Sequence, residues 1–103
     1  MKRIERIEKM EQYLNESEQA VRVLSEALER YETVQSSLKK LTDYFGSMQW
    51  VKDYEADEAG KIPKGLKRGV LSEDAVYDLL ADHHELILRM SAAVTKAIDK
   101  NMV

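Results

Sequence analysis

Gly60-Lys61-Ile62-Pro63-Lys64-Gly65-Leu66-Lys67-Arg68-Gly69-Val70-Leu71-Ser72-Glu73-Asp74 is where this chain leaves helical geometry and re-enters it. The stretch holds three of the four glycines and the only proline. Its last residues carry a helix start. Ser72 offers a short side-chain oxygen to the free N–H groups of a new helix, and Glu73 and Asp74 place negative charge where the helix dipole favours it. Leu71 before the cap and Val76 after it fit a hydrophobic staple. The helix begun there is expected to run to about Lys100, burying a stripe of Val76, Leu79, Leu80, Leu86, Ile87, Met90, Val94, Ala97 and Ile98.

On the other side, Met48–Ala59 reads as a short helix closed by Gly60. Gly46 is expected to end the preceding helix in the left-handed conformation, with Ser47 capping the next. Upstream of Gly46 no glycine or proline interrupts the chain. Ile4, Ile7, Met10, Leu14, Val21, Leu24, Leu28, Tyr31, Leu38, Leu41 and Phe45 recur every three or four positions there and form one broad helical stripe. One helix from residue 3 to 45 would be ~65 Å long. The stripe thins at Asn15–Gln19 and at Glu32–Ser37, and Thr33, Ser36 and Ser37 make the second place the better break. Residues 3–31 and 73–100 would then match in length, at roughly 42–44 Å each. Residues 36–45 and 48–59 would be the two halves of a bent third member. The expected fold is all-α: residues 1–103 as one domain, a three-helix antiparallel bundle with a broken middle helix and one Gly/Pro-containing loop. Its rival is an unbroken N-terminal helix that pairs with a second copy, which the heptad-like spacing keeps open.

Composition narrows the class. A chain of 103 residues fits one domain, and 44% hydrophobic with 34% charged residues suits amphipathic helices with charged outer faces. A net charge of −3 argues against nucleic acid. No cysteine means no disulfide frame or thiolate site and fits a reducing compartment. Met1–Glu8 has no apolar signal core, and no apolar run approaches the ~20 residues that span a bilayer. A cytoplasmic protein with no membrane or nucleic-acid partner is expected.

With Trp50-Val51-Lys52-Asp53-Tyr54-Glu55-Ala56-Asp57-Glu58, Lys61-Ile62-Pro63 and Gly69-Val70-Leu71-Ser72-Glu73-Asp74, the chain resembles a small bacterial helical family, domain of unknown function 4298 (DUF4298). The resemblance covers nearly the whole chain and implies a bacterial, cytoplasmic, single-domain protein. It brings no activity, cofactor or catalytic residue with it.

The residues themselves offer two kinds of site. Glu55 with Glu58, and Asp82 with Glu85, are i, i+3 pairs, so each lies on one helix face. Converging, the four would suit Mg²⁺ or Mn²⁺. Small all-α nucleotide pyrophosphohydrolases use paired acidic motifs of this general kind, although theirs end the second motif in Asp, where this chain has Glu85. The plainer reading is a charged outer face. Asp53, Glu55 and Asp57 mimic the start of a calcium loop, but Glu58 and Lys64 stand where that loop needs Gly and Glu. His83 and His84 point roughly 100° apart and cannot chelate one ion together; His83 should edge the core and His84 face solvent. Lys61, Lys64, Lys67 and Arg68 are best read as offsetting the acidic clusters on either side. Tyr44, Phe45, Trp50, Tyr54 and Tyr77 should form a satellite core under the loop, and an open edge at Trp50, Tyr54, Leu66 and Tyr77 would receive a partner helix or peptide. The leading function is therefore a protein-interaction module without catalysis or cofactor, acting on a protein partner or on itself. The alternative is a divalent-metal-dependent nucleotide phosphate hydrolase.

Overall fold

The computed structural model describes residues 2–102 and is all-α, with three α-helices and no strand among them. Helix α1 is Arg3–Phe45, α2 is Met48–Glu58 and α3 is Glu73–Asp99, with a single 3-10 turn at Gly69–Leu71 before α3. The chain divides into two compact units, Met1–Lys39 and Lys40–Val103.

From Arg3 on, the first unit is helix throughout. Its sequence contains no helix breaker and is rich in Glu, Lys, Arg and Gln. Glu5/Lys9, Glu18/Arg22 and Glu26/Arg30 stand four apart with the acid first, the favourable order. Lys9 sits 5.4 Å over the ring of Tyr13, and Gln12 donates to Glu16 at 3.3 Å. Neither expected break occurs. The Thr33 hydroxyl donates back to the Glu29 carbonyl at 2.9 Å instead of capping a new helix. That back-bond satisfies the hydroxyl within the helix, so the sequence around Glu32–Ser37 has no reason to stop it. The first helix and the first half of the expected middle helix are thus one element, as the rival reading had it.

The second unit is organised around corners. Among the described residues upstream of α2, the helix breaks at Gly46–Ser47 alone. Ser47 makes the break: its hydroxyl accepts from the Trp50 N–H at 3.2 Å and donates to the Tyr44 carbonyl at 2.7 Å, binding both helix ends. Gly46 is not in the left-handed region, contrary to expectation, because the Ser47 N–H turns back to Tyr44 in a three-residue step. Gly60 is left-handed, with φ +72°. It closes α2 in a Schellman turn, with Gly60 N–H to Asp57 O at 3.0 Å and Lys61 N–H to Ala56 O at 2.9 Å. Asn101, at φ 57°, ends α3 the same way.

The start of α3 follows the sequence closely. The Ser72 hydroxyl accepts from Ala75 N–H at 3.3 Å, and the two staple residues, Leu71 and Val76, are both buried. The 3-10 turn touches both α2 and α3 and so joins them.

Candidate interaction surface

Three side chains are buried among the described residues: Trp50 (8% exposed), Leu71 and Val76. All three lie at the corner made by α2, the 3-10 turn and the start of α3. Trp50 stacks on Tyr54 with ring centres 5.2 Å apart and meets Phe45 edge-on, also at 5.2 Å. Each such ring pair contributes roughly 0.5–1.5 kcal/mol beyond the area it buries. The indole N–H donates to the Val70 carbonyl at 2.8 Å, so the one polar atom of the ring is satisfied. Trp50 is therefore a core residue and not part of an open edge: its ring and its N–H are both engaged inside. Tyr54 is half-buried, while Leu66 and Tyr77 are exposed.

Polar contacts lock the same corner. The Tyr44 hydroxyl donates to Asp53 at 2.6 Å, and Gln49 donates to the other oxygen of Asp53 at 3.0 Å. The bond to Asp53, burial and the negative charge of Asp53 together push the Tyr44 phenol up to about 12. The same bond, helped by Gln49, holds the Asp53 carboxyl below its usual range. Arg68 bonds Asp57 at 2.6 Å and the Pro63 carbonyl at 3.1 Å. One of the four loop cations thus does what the charge pattern suggested and offsets the acidic face of α2.

The four carboxylates considered for a metal are not brought together. Among the described residues no group of three or more His, Asp or Glu side chains is placed to hold an ion. Glu58 instead lines a shallow cleft with Tyr54, Leu71, Ser72, Glu73 and Asp74. The Glu58 charge, then burial, then Glu73 and Asp57 push the Tyr54 phenol up. Glu55, Asp82 and Glu85 are solvent-exposed. His83 is half-buried and His84 exposed, as their positions on α3 suggested.

The larger feature is apolar. On α1, Ile4, Ile7, Met10, Leu14, Val21, Leu24 and Leu28 are all exposed, Val21 and Leu24 each at 68%. Farther along the same stripe Tyr31, Leu38, Leu41 and Phe45 are half-buried. On α3, Leu79, Leu86, Ile87, Val94 and Ile98 are exposed, whereas Leu80, His83, Met90 and Ala97 are half-buried. Exposed apolar residues scattered singly need no explanation, but a stripe at helical spacing does. Sequence periodicity found this stripe and assigned it to a core. It carries no mark telling an internal partner from an external one.

The sequence model of the family described as Domain of unknown function (DUF4298) matches residues 7–92. The chain belongs to that family. No curated protein and no solved structure matches it. The DUF4298 match takes in most of α1, all of α2 and the connecting loop, and α3 to Ala92, so the α1 stripe from Ile7 onward and the aromatic corner fall inside it. No helix of the described residues is long and apolar enough to cross a membrane.

Proposed function

We propose that this chain is a protein-interaction module without catalysis of its own, and that it binds through the apolar face of α1. The observation behind this is the run of exposed side chains from Ile4 to Leu28, at a spacing that puts them on one side of the helix. An apolar helix face of this length is the kind of surface that another helix covers, with anchors at i, i+3, i+4 and i+7. The aromatic corner has the complementary character: it is tied down by hydrogen bonds and stacked rings. Leu66 and Tyr77 offer a smaller second contact near that corner. The cysteine-free composition fits a reducing compartment, and a bacterial cytoplasm is part of the same proposal.

The test is native co-purification from the source cell, comparing the wild-type chain with a Val21→Glu/Leu24→Glu chain. Near-ultraviolet circular dichroism of the aromatic corner checks that both are folded. Loss of a defined set of bound chains from the double variant supports the reading. An identical set on both, or a wild-type chain that stays alone and forms no oligomer, overturns it.

A further inference from the structure

From Ile7 onward the α1 stripe repeats every seven residues. Writing Ile7 as position a, the alternating steps of three and four place Met10, Leu14, Ser17, Val21, Leu24 and Leu28 at successive d and a positions. None of these seven is charged. A straight helix drifts by about 20° per heptad from such a repeat, so a strict seven-residue seam calls for a second helix wound around it.

We infer that residues 7–28 of α1 pair with the same residues of a second copy of this chain, in a parallel, in-register coiled coil. This rests on the interaction reading above and names its partner. The charges flanking the seam decide the orientation. Glu11, Glu18 and Glu32 occupy successive e positions with Ser25 among them, while the g positions are Arg6, Tyr13, Ala20, Ala27 and Val34. In a parallel pair each g residue meets the e residue of the next heptad on the other helix. Arg6 then faces Glu11 of the second copy, twice by symmetry, Tyr13 faces Glu18, and no like charges meet. In an antiparallel pair e faces e. The registers that stack Ile7 on Ser17, Leu24, Tyr31 or Leu38, or shift one heptad farther, then each set a glutamate of one copy against a glutamate of the other. The β-branched Ile7 and Val21 at a, with Leu24 at d, also suit two parallel strands.

The absence of cysteine makes the orientation directly measurable. Met10→Cys and Val21→Cys are introduced separately into the full chain. Parallel pairing puts each new thiol beside its own copy, so either chain alone forms a disulfide-linked dimer on mild oxidation. The antiparallel register that stacks Ile7 on Leu24 sets position 10 against position 21. There the mixture yields the cross-linked product and neither chain does alone. Sedimentation of the wild-type chain should give twice its 11.9 kDa mass, and Leu24→Glu should give the single-chain mass with unchanged Trp50 fluorescence. A wild-type chain of single mass at all concentrations up to hundreds of micromolar overturns the inference, and so does cross-linking only in the mixture. If the chain is single yet Val21→Glu/Leu24→Glu still loses a different bound protein, this inference falls while the interaction module stands.

Discussion

The indole N–H of Trp50 reaches the carbonyl oxygen of Val70 at 2.8 Å, across twenty positions of chain. This one bond pins the 3-10 turn to α2 and thereby fixes where α3 begins. Trp50→Phe keeps an aromatic ring but leaves the Val70 carbonyl without that donor. The expected loss is about 1 kcal/mol for the bond, plus a smaller packing loss. Trp50→Ala also removes both ring contacts and should cost about 3–5 kcal/mol. Urea unfolding followed by far-ultraviolet circular dichroism measures both. Equal losses would mean that the ring itself contributes little.

Tyr44 and Asp53 make stability depend on pH at both ends. The folded-state phenol is raised to about 12 from an ordinary value of 10.0, so its contribution is complete below pH 10. It is lost between pH 10 and about 12, where the unfolded chain gives up the proton and the folded one does not. The Asp53 carboxyl is lowered, so its contribution is present above the ordinary carboxylate pKa and is lost as pH falls through the depressed value. Tyr44→Phe should flatten the loss between pH 10 and 12 and weaken the acid limb. Thermal unfolding across pH 3 to 12 checks both, and an unchanged alkaline limb would show that the bond is not formed in solution.

The two glycines bounding α2 should respond oppositely to alanine. At Gly60, φ is +72° and an added Cβ would meet nothing within 4 Å, so the cost is in the backbone alone, about 1–2 kcal/mol. Gly46 is outside the left-handed region, and its added Cβ would lie 3.9 Å from the Thr42 carbonyl, an ordinary contact. Gly46→Ala should be neutral or stabilise by up to about 1 kcal/mol, because alanine narrows the unfolded ensemble. Melting temperatures of the two variants decide the matter.

Signals that act over a few residues were legible in the sequence. Ser47, Ser72 and Gly60 announce their roles through bonds that span no more than five positions, and the structure keeps all three. The continuity of α1 was harder, because Thr33 has two local options, capping or back-bonding, and the sequence does not rank them. Tyr44 with Asp53, Arg68 with Asp57 and Trp50 with Val70 are set by how the corners close, so no local spacing signals those pairs. The acidic pairs show the reverse failure. Spacing correctly put Glu55 with Glu58, and Asp82 with Glu85, on shared faces, but whether two faces meet is a property of the fold.

The two serine caps look alike in sequence and should differ in worth. Ser72 only accepts, from the Ala75 N–H at 3.3 Å. Ser72→Ala should cost about 1 kcal/mol, and Ser72→Asp should hold or exceed wild-type stability, because a carboxylate both accepts that bond and answers the helix dipole. Ser47 accepts from Trp50 and also donates to the carbonyl of Tyr44 at 2.7 Å, within the last turn of α1. Ser47→Ala therefore breaks two bonds, and about 2 kcal/mol is expected. Ser47→Asp restores the cap but cannot donate to Tyr44, and it brings a negative charge towards that carbonyl at the negative end of the α1 dipole. It should recover less than half of the loss. Urea midpoints of the four variants give the comparison. If aspartate rescues both positions equally, the bond from Ser47 to Tyr44 has no energetic weight.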